Sequence, residues 1–104
     1  MADEGKEKSA SVTWKNEWER FRLVELADAV MKDILGINFR AQFAEERKEN
    51  PDIEKLKRLE EEEERLYAEQ QRISFNDKEA LQRYIKKYGP IIKAHFTKKN
   101  TTDE

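Results

Sequence analysis

The sequence has no cysteine, one histidine, three glycines and two prolines among its 104 residues. The missing thiol excludes disulfide bonds, thiolate metal sites and cysteine catalysis, which fits a reducing compartment. Few turn-forming residues, together with 42% charged residues, favour long helices over a sheet. We therefore expect an all-α protein, either a small helical bundle or a helical hairpin with a long charged helix.

Long hydrophobic runs are also missing. No stretch approaches the roughly 20 apolar residues that cross a bilayer, and the polar start over residues 1–6 is unlike a secretion signal. We expect no membrane partner and a location in the cytoplasm, or in the nucleus of a eukaryotic cell. A chain of 104 residues holds one domain at most. We place a helical domain at 13–97, with short disordered tails at 1–12 and 98–104.

Breaker residues and periodicity predict that the first helix begins after a cap at Thr13. The helix starts at Trp14 and stops at Gly36, where a left-handed glycine lets Ile37 fold back on Met31. At 100° per residue, one broad face of this helix is apolar and indicates the core. That face consists of Leu23, Ala27, Val30, Met31, Ile34 and Leu35.

Four further boundaries bring the expected number of helices to four or five. Asn38 begins a short helix over 39–49, and Asn50-Pro51 begins a charged helix over 51–73. A capping box from Asn76 to Glu79 begins a helix over 77–88, and Gly89-Pro90 separates it from a short segment over 91–96. The helix over 77–88 carries an apolar stripe, which consists of Ala80, Leu81, Tyr84, Ile85 and Tyr88. The charged helix favours an antiparallel hairpin or bundle position over a long coiled coil, because only three apolar heptad positions share one seam. They are Leu59, Leu66 and Ile73.

Aromatic residues near the start of the first helix project away from its apolar face. Either the helix bends near Arg20–Arg22, or a second helix of the chain covers the rings, since aromatic rings usually serve cores, or they face a partner. Trp, Tyr and Arg are enriched at the centres of protein interfaces, and arginines accompany the rings here. The candidate protein-binding residues are Trp14, Trp18, Arg20, Phe21 and Arg22.

Positive charge is concentrated at the other end of the chain. Residues 51–73 carry five positive and eight negative side chains, whereas residues 74–100 carry seven positive and two negative ones. A helix, a turn with glycine and a second basic helix have the outline of a helix-turn-helix, although a solvated lysine face explains the charges equally well. The candidate nucleic-acid-binding residues are Arg83, Lys86, Lys87, Lys93, Lys98 and Lys99.

No catalytic, cofactor or metal site is indicated by the residues. His95 stands alone beside Phe96 and is read as a packed or solvent-edge residue. The run Glu60–Glu64 points in successive directions around a helix, so it predicts a solvated acidic face, or a surface for a basic partner. The glycines are isolated and form no phosphate loop. We expect neither an enzyme nor a small-molecule substrate.

Two functional hypotheses remain. The first is a small helical adaptor or regulator that binds another protein, or itself as a homodimer, through the aromatic end. The alternative is a nucleic-acid-binding accessory or regulatory protein that uses the basic end. A self-associating coiled coil over 53–73 is a third, weaker hypothesis.

Overall fold

A computed structural model describes residues 14–103, with side chains described for 14–97. The described residues form three helices and no strand: α1 (Glu17–Glu46), α2 (Ile53–Arg72) and α3 (Lys78–Asp103). None of these helices has an apolar stretch that could cross a membrane. The expected tail at 1–12 and the expected cap at Thr13 lie outside the described residues.

The long helix α1 lies at the centre, and both other helices pack against it. Helix α2 runs antiparallel to α1, because Lys55 near its start meets Glu45 at 3.4 Å and Gln70 near its end donates to the carbonyl of Met31 at 3.2 Å. Helix α3 runs parallel to α1. Its first residue, Lys78, forms an ion pair with Glu19 in the first turn of α1 at 3.0 Å.

The apolar core lies where all three helices overlap. The predicted faces supply it: α1 buries most of its apolar face, α2 buries the middle residue of its heptad seam, and α3 buries one stripe. Burying large aliphatic and aromatic side chains is the main favourable term of folding. The buried apolar residues are Ala27, Val30, Met31, Ile34, Leu66, Leu81, Tyr84 and Tyr88.

Side chains join α2 to α3, whose backbones stay more than 8 Å apart (Cα–Cα) in the described part of the chain. Gln70 donates to the hydroxyl of Tyr84 at 2.9 Å, and Glu69 accepts from both the Tyr88 hydroxyl and the Lys87 ammonium. Burial raises the pKa of Tyr84 to about 12. The phenol therefore stays protonated at any physiological pH.

The outer half of the α1–α2 contact is polar. Asn38 of α1 donates to the carbonyl of Leu59 at 3.0 Å and to the carboxylate of Glu62 at 2.9 Å. Gln42 donates to Asn38 at 2.6 Å and to Glu63 at 2.9 Å. The prediction of a fully solvated acidic face over 60–64 is therefore wrong for Glu62 and Glu63, which are half-buried against α1.

Glu45 closes this polar contact at the α1–α2 loop. Its carboxylate, only 2% exposed, accepts from the backbone N–H of Asp52 at 2.8 Å and pairs with Lys48 at 2.9 Å. The bond from Asp52, followed by those from Lys48 and Lys55, lowers the pKa of Glu45 to about 2. The ionised carboxylate thus fastens the loop between α1 and α2.

The predicted break at Gly36 is wrong, because α1 continues for ten more residues to Glu46. Glycine has no positive φ here, so no left-handed cap forms. A glycine within a helix costs about 1 kcal/mol relative to alanine. The contacts of Asn38, Gln42 and Glu45 with α2 offset that cost, and Asn38 is a buried residue of α1 instead of the cap of a separate helix.

The predicted break at Gly89-Pro90 is also wrong, because α3 runs through it to Asp103 and past residue 97. Proline removes one helical hydrogen bond, and its ring clashes with the Cβ of a preceding residue in helical conformation. Gly89 has no Cβ, which removes the second penalty. Tyr88 and Ile92, packed on either side, hold the helix against the core. The helix-turn-helix outline therefore does not exist in this fold.

The helix caps differ from the expected ones by one to three residues. Asn16, instead of Thr13, caps α1, so the helix begins at Glu17 and the predicted start at Trp14 is wrong. Asp52, instead of Asn50, caps α2 by accepting from the N–H of Lys55 at 3.1 Å. Asp77 caps α3 by accepting from the N–H of Ala80 at 3.0 Å. Asn76, the expected cap, accepts from Arg20 of α1 instead. Short polar side chains cap almost equally well, so neighbouring tertiary contacts decide which one does so.

Candidate functional site

The start of α1 is held firmly by its own cap and by α3. The side chain of Asn16 accepts from the N–H of Glu19 at 2.8 Å, and Glu19 accepts from the N–H of Lys15 at 2.6 Å. The bond from Lys15 and then the contact with Lys78 lower the pKa of Glu19, so the ion pair between α1 and α3 persists at neutral pH. The first turn of α1 is thereby a rigid platform.

Trp18 and Phe21 stand on the side of this platform that α3 does not cover. Trp18 is 65% exposed and Phe21 is 53% exposed. Their rings stack on each other, with centroids 5.7 Å apart and planes 22° from parallel. None of the described helices buries either ring, and both rings face outward.

The other three predicted members of this set are Trp14, Arg20 and Arg22. Two of them pack within the fold, and one lies on the surface. Trp14 is half-buried, with the Lys78 ammonium 5.8 Å from the centre of its ring. Arg20 points inward and donates to the side chain of Asn76 before α3, and its Nε is buried without a hydrogen-bond partner. Arg22 is exposed. Trp14 and Arg20 therefore attach α1 to α3, whereas Arg22 stays with the exposed rings.

A groove of about 490 Å³ runs beside Trp18 between the starts of α1 and α3. Leu23 and Leu26 are among its apolar lining residues, and Arg22 and Lys78 are among its charged ones. Leu26, which is half exposed, was not predicted as a site residue. Leu26 lies one turn after Arg22 and two turns after Trp18, and this helical spacing could have identified it as a site residue from the sequence. We call Trp18, Phe21, Arg22 and Leu26 together the aromatic patch.

The predicted nucleic-acid-binding residues lie on one continuous helix instead of two. Arg83, Lys86, Lys87 and Lys93 are exposed on α3, on the side opposite its buried stripe. Lys87 pairs with Glu69 of α2 at 3.1 Å, which neutralises part of this face. The side chains of Lys98 and Lys99 lie outside the described part of the chain.

The titratable residues considered for chemistry are spread out. His95 is half-buried and packs edge-on against Phe96, with ring centroids 5.3 Å apart. Within the described residues, no three histidine, aspartate or glutamate side chains are grouped so as to hold a metal ion.

Comparison of the chain with protein-family models, with curated proteins and with solved structures gave no match.

Proposed function

We propose that this protein is a small, non-enzymatic helical adaptor or regulator that binds another protein through the aromatic patch. The carrying observation is the exposure of Trp18 and Phe21 at a rigid helix start, although α3 packs along the same helix. If the stability of the fold depended on these rings, they would be buried in the core, because burying an aromatic side chain is worth several kcal/mol.

The patch has the composition of an interface centre. Tryptophan and arginine dominate binding hot spots, since a large ring desolvates well and a guanidinium makes several directed hydrogen bonds. Because Asn16 caps the helix and Glu19 is tied to Lys78, little conformational entropy is lost when a partner orders this surface. The platform therefore favours binding without a rearrangement of the chain.

The residues that line the groove indicate which kind of partner surface fits it. An apolar side chain fits between Trp18 and Leu26, while Arg22 at the edge favours a carboxylate beside it. The partner surface is accordingly an apolar anchor flanked by acidic residues.

The experiment is affinity capture from an extract of the native host, with nuclease added, using three forms of the protein. Trp18→Ala removes the central ring, and Tyr67→Ala is a matched control because Tyr67 is a 47% exposed aromatic residue on α2. We expect the wild type and Tyr67→Ala to retain the same proteins and Trp18→Ala to lose them while remaining folded. Equal capture by all three forms rules out the aromatic patch as the binding surface.

The alternative proposal is that the basic face of α3 binds nucleic acid. It is supported by Arg83, Lys86 and Lys93, which are exposed on one side of an unbroken helix. Cations aligned along a helix bind phosphates without reading bases, so the binding is electrostatic and weakens steeply as salt is added. Paired Lys86→Ala and Lys93→Ala substitutions reduce the salt dependence of a mobility shift. The proposal fails when neither DNA nor RNA is retarded at low salt.

A further inference from the structure

The outer face of α1, opposite the core, carries a second regular pattern. Eight positions follow one another at alternating intervals of four and three residues, which is the 3.5-residue spacing of a coiled-coil seam. Seven of them are exposed, and Gly36 is half-buried. Neither α2 nor α3 covers this line. We call it the outer seam; it consists of Trp18, Arg22, Glu25, Ala29, Lys32, Gly36, Phe39 and Phe43.

Aromatic residues occupy both ends of the outer seam. Trp18 lies at one end with Phe21 stacked beside it, and Phe39 and the 56% exposed Phe43 lie at the other. Trp18 and Phe43 are about 38 Å apart along the helix. Their midpoint falls between residues 30 and 31. A second α1 placed antiparallel about that midpoint would bring Trp18 opposite Phe43 and Phe21 beside Phe39, at both ends at once.

We propose that the outer seam is the interface with a second copy of this chain, in an antiparallel α1–α1 pair related by a twofold axis near Ala29. The inference rests on the proposed function, because Trp18 and Arg22 belong to both surfaces. It names the second copy as the partner. An isologous interface of this kind is the commonest route to a homodimer, since each contact occurs twice.

Charge selects the antiparallel arrangement. About the same midpoint, Glu25 faces Gly36 of the second copy. The guanidinium of Arg40 lies alongside Gly36, where a Cβ atom would be 3.7 Å from its nitrogen. Glu25 thus meets Arg40 of the second copy, twice per dimer. A parallel pair would instead place Glu25 on Glu25 and Lys32 on Lys32, and like charges at these positions disfavour it.

Two small residues on the outer seam, Ala29 and Gly36, present little or no side chain, while the large rings lie towards the ends. Lys32, which would face Ala29 of the second copy, pairs with Asp28 of its own helix at 3.0 Å. The seam is about 38 Å long and roughly 11 Å wide, so each copy contributes about 400 Å². A standard interface buries about 800 Å² per partner, so a seam of about half that area predicts a weak, reversible dimer.

The test is sedimentation velocity on the full chain from about 5 to about 500 μM, a range that spans micromolar dissociation constants. We expect the wild type to be a reversible dimer at the upper end of this range. Glu25→Arg alone and Arg40→Glu alone each weaken it about tenfold or more, because two like-charged pairs replace two opposite ones. Glu64→Arg, an exposed charge reversal on α2, serves as the matched control and leaves dimerisation unchanged.

Mixing the two weakened variants provides the decisive step. In a mixed dimer, the new arginine of the Glu25→Arg chain would meet the new glutamate of the Arg40→Glu chain, and the other pair would keep its original Arg40 and Glu25. The equimolar mixture is therefore expected to dimerise like the wild type. Rescue cannot arise within one chain, because positions 25 and 40 are about 22 Å apart along α1. A wild type that stays monomeric, or a mixture that behaves like the separate variants, overturns the proposal.

The outcomes separate this inference from the proposed function. When the chain is monomeric throughout but Trp18→Ala loses captured host proteins, the antiparallel pair is excluded and the protein-binding patch stands. When the mixture dimerises but Trp18→Ala captures the same proteins as the wild type, the second copy is the partner and the heterologous adaptor role fails. Circular dichroism of every variant shows that each retains its helices.

Discussion

Gly36→Ala is expected to stabilise the protein, and this prediction depends on the continuity of α1. Gly36 has a helical backbone with no positive φ, in the interior of a 30-residue helix. A Cβ atom at this position would meet only the Arg40 guanidinium, at 3.7 and 4.0 Å, which is ordinary van der Waals contact. Alanine therefore gains its usual advantage over glycine in a helix, about 1 kcal/mol.

The assay is urea unfolding followed by circular dichroism, with a thermal melt as a second measurement. For a domain of this size, about 1 kcal/mol corresponds to a rise in Tm of roughly 4–8 °C. The measurements are repeated at a tenfold lower protein concentration, so that folding is separated from self-association. A left-handed glycine would give the opposite sign, because alanine is strained at positive φ. A fall in the free energy of unfolding therefore refutes the continuous helix.

Three further predictions concern the core, the proline and the acid response. Leu81→Ala, at a side chain with 0% exposure, lowers the free energy of unfolding by about 2–5 kcal/mol, measured by urea unfolding. Pro90→Ala raises it by up to about 3 kcal/mol and increases helical circular dichroism, because one backbone hydrogen bond is restored; a loss of helix would contradict an unbroken α3. The lowered pKa of Glu45, about 2 against an ordinary 4.5, stabilises the fold above pH 4.5, and this contribution is lost as the pH falls towards 2. Glu45→Gln is less stable at pH 7 and loses less stability across that window, as an acid titration of unfolding shows.

The buried faces of all three helices could be predicted from periodicity. The α1 face around Val30 and Met31, the α2 seam at Leu66 and the α3 stripe at Leu81 and Tyr84 all lie in the core. Such faces are encoded locally, because a helix that buries one side must repeat its apolar residues every three or four positions.

The helix ends could not be predicted in the same way. Gly36 and Gly89 have the local properties of helix stops, but whether a helix stops depends on what the following residues contact. After Gly36 those contacts are polar, through Asn38 and Gln42, and give no hydrophobic signal in the sequence. Propensity is a weak preference that tertiary packing overrides by a few kcal/mol.

The candidate site was foreseen in part. The projection of Trp18 and Phe21 away from the apolar face follows from helical geometry alone, and both rings are exposed in the fold. The inward direction of Arg20 could not be foreseen, because it depends on Asn76, which is distant in sequence. Arg20 and Arg22 are less than one turn apart, but Arg20 contacts the residue before α3 and Arg22 stays exposed.

The central claim is that Trp18 stands outside the fold and is available to a partner. Its most direct test is the free energy of unfolding of Trp18→Ala relative to the wild type, measured with urea at low protein concentration. We predict a loss below about 1 kcal/mol, since only the stacking with Phe21 disappears. A loss of about 3–5 kcal/mol, as for a buried tryptophan, would contradict the account.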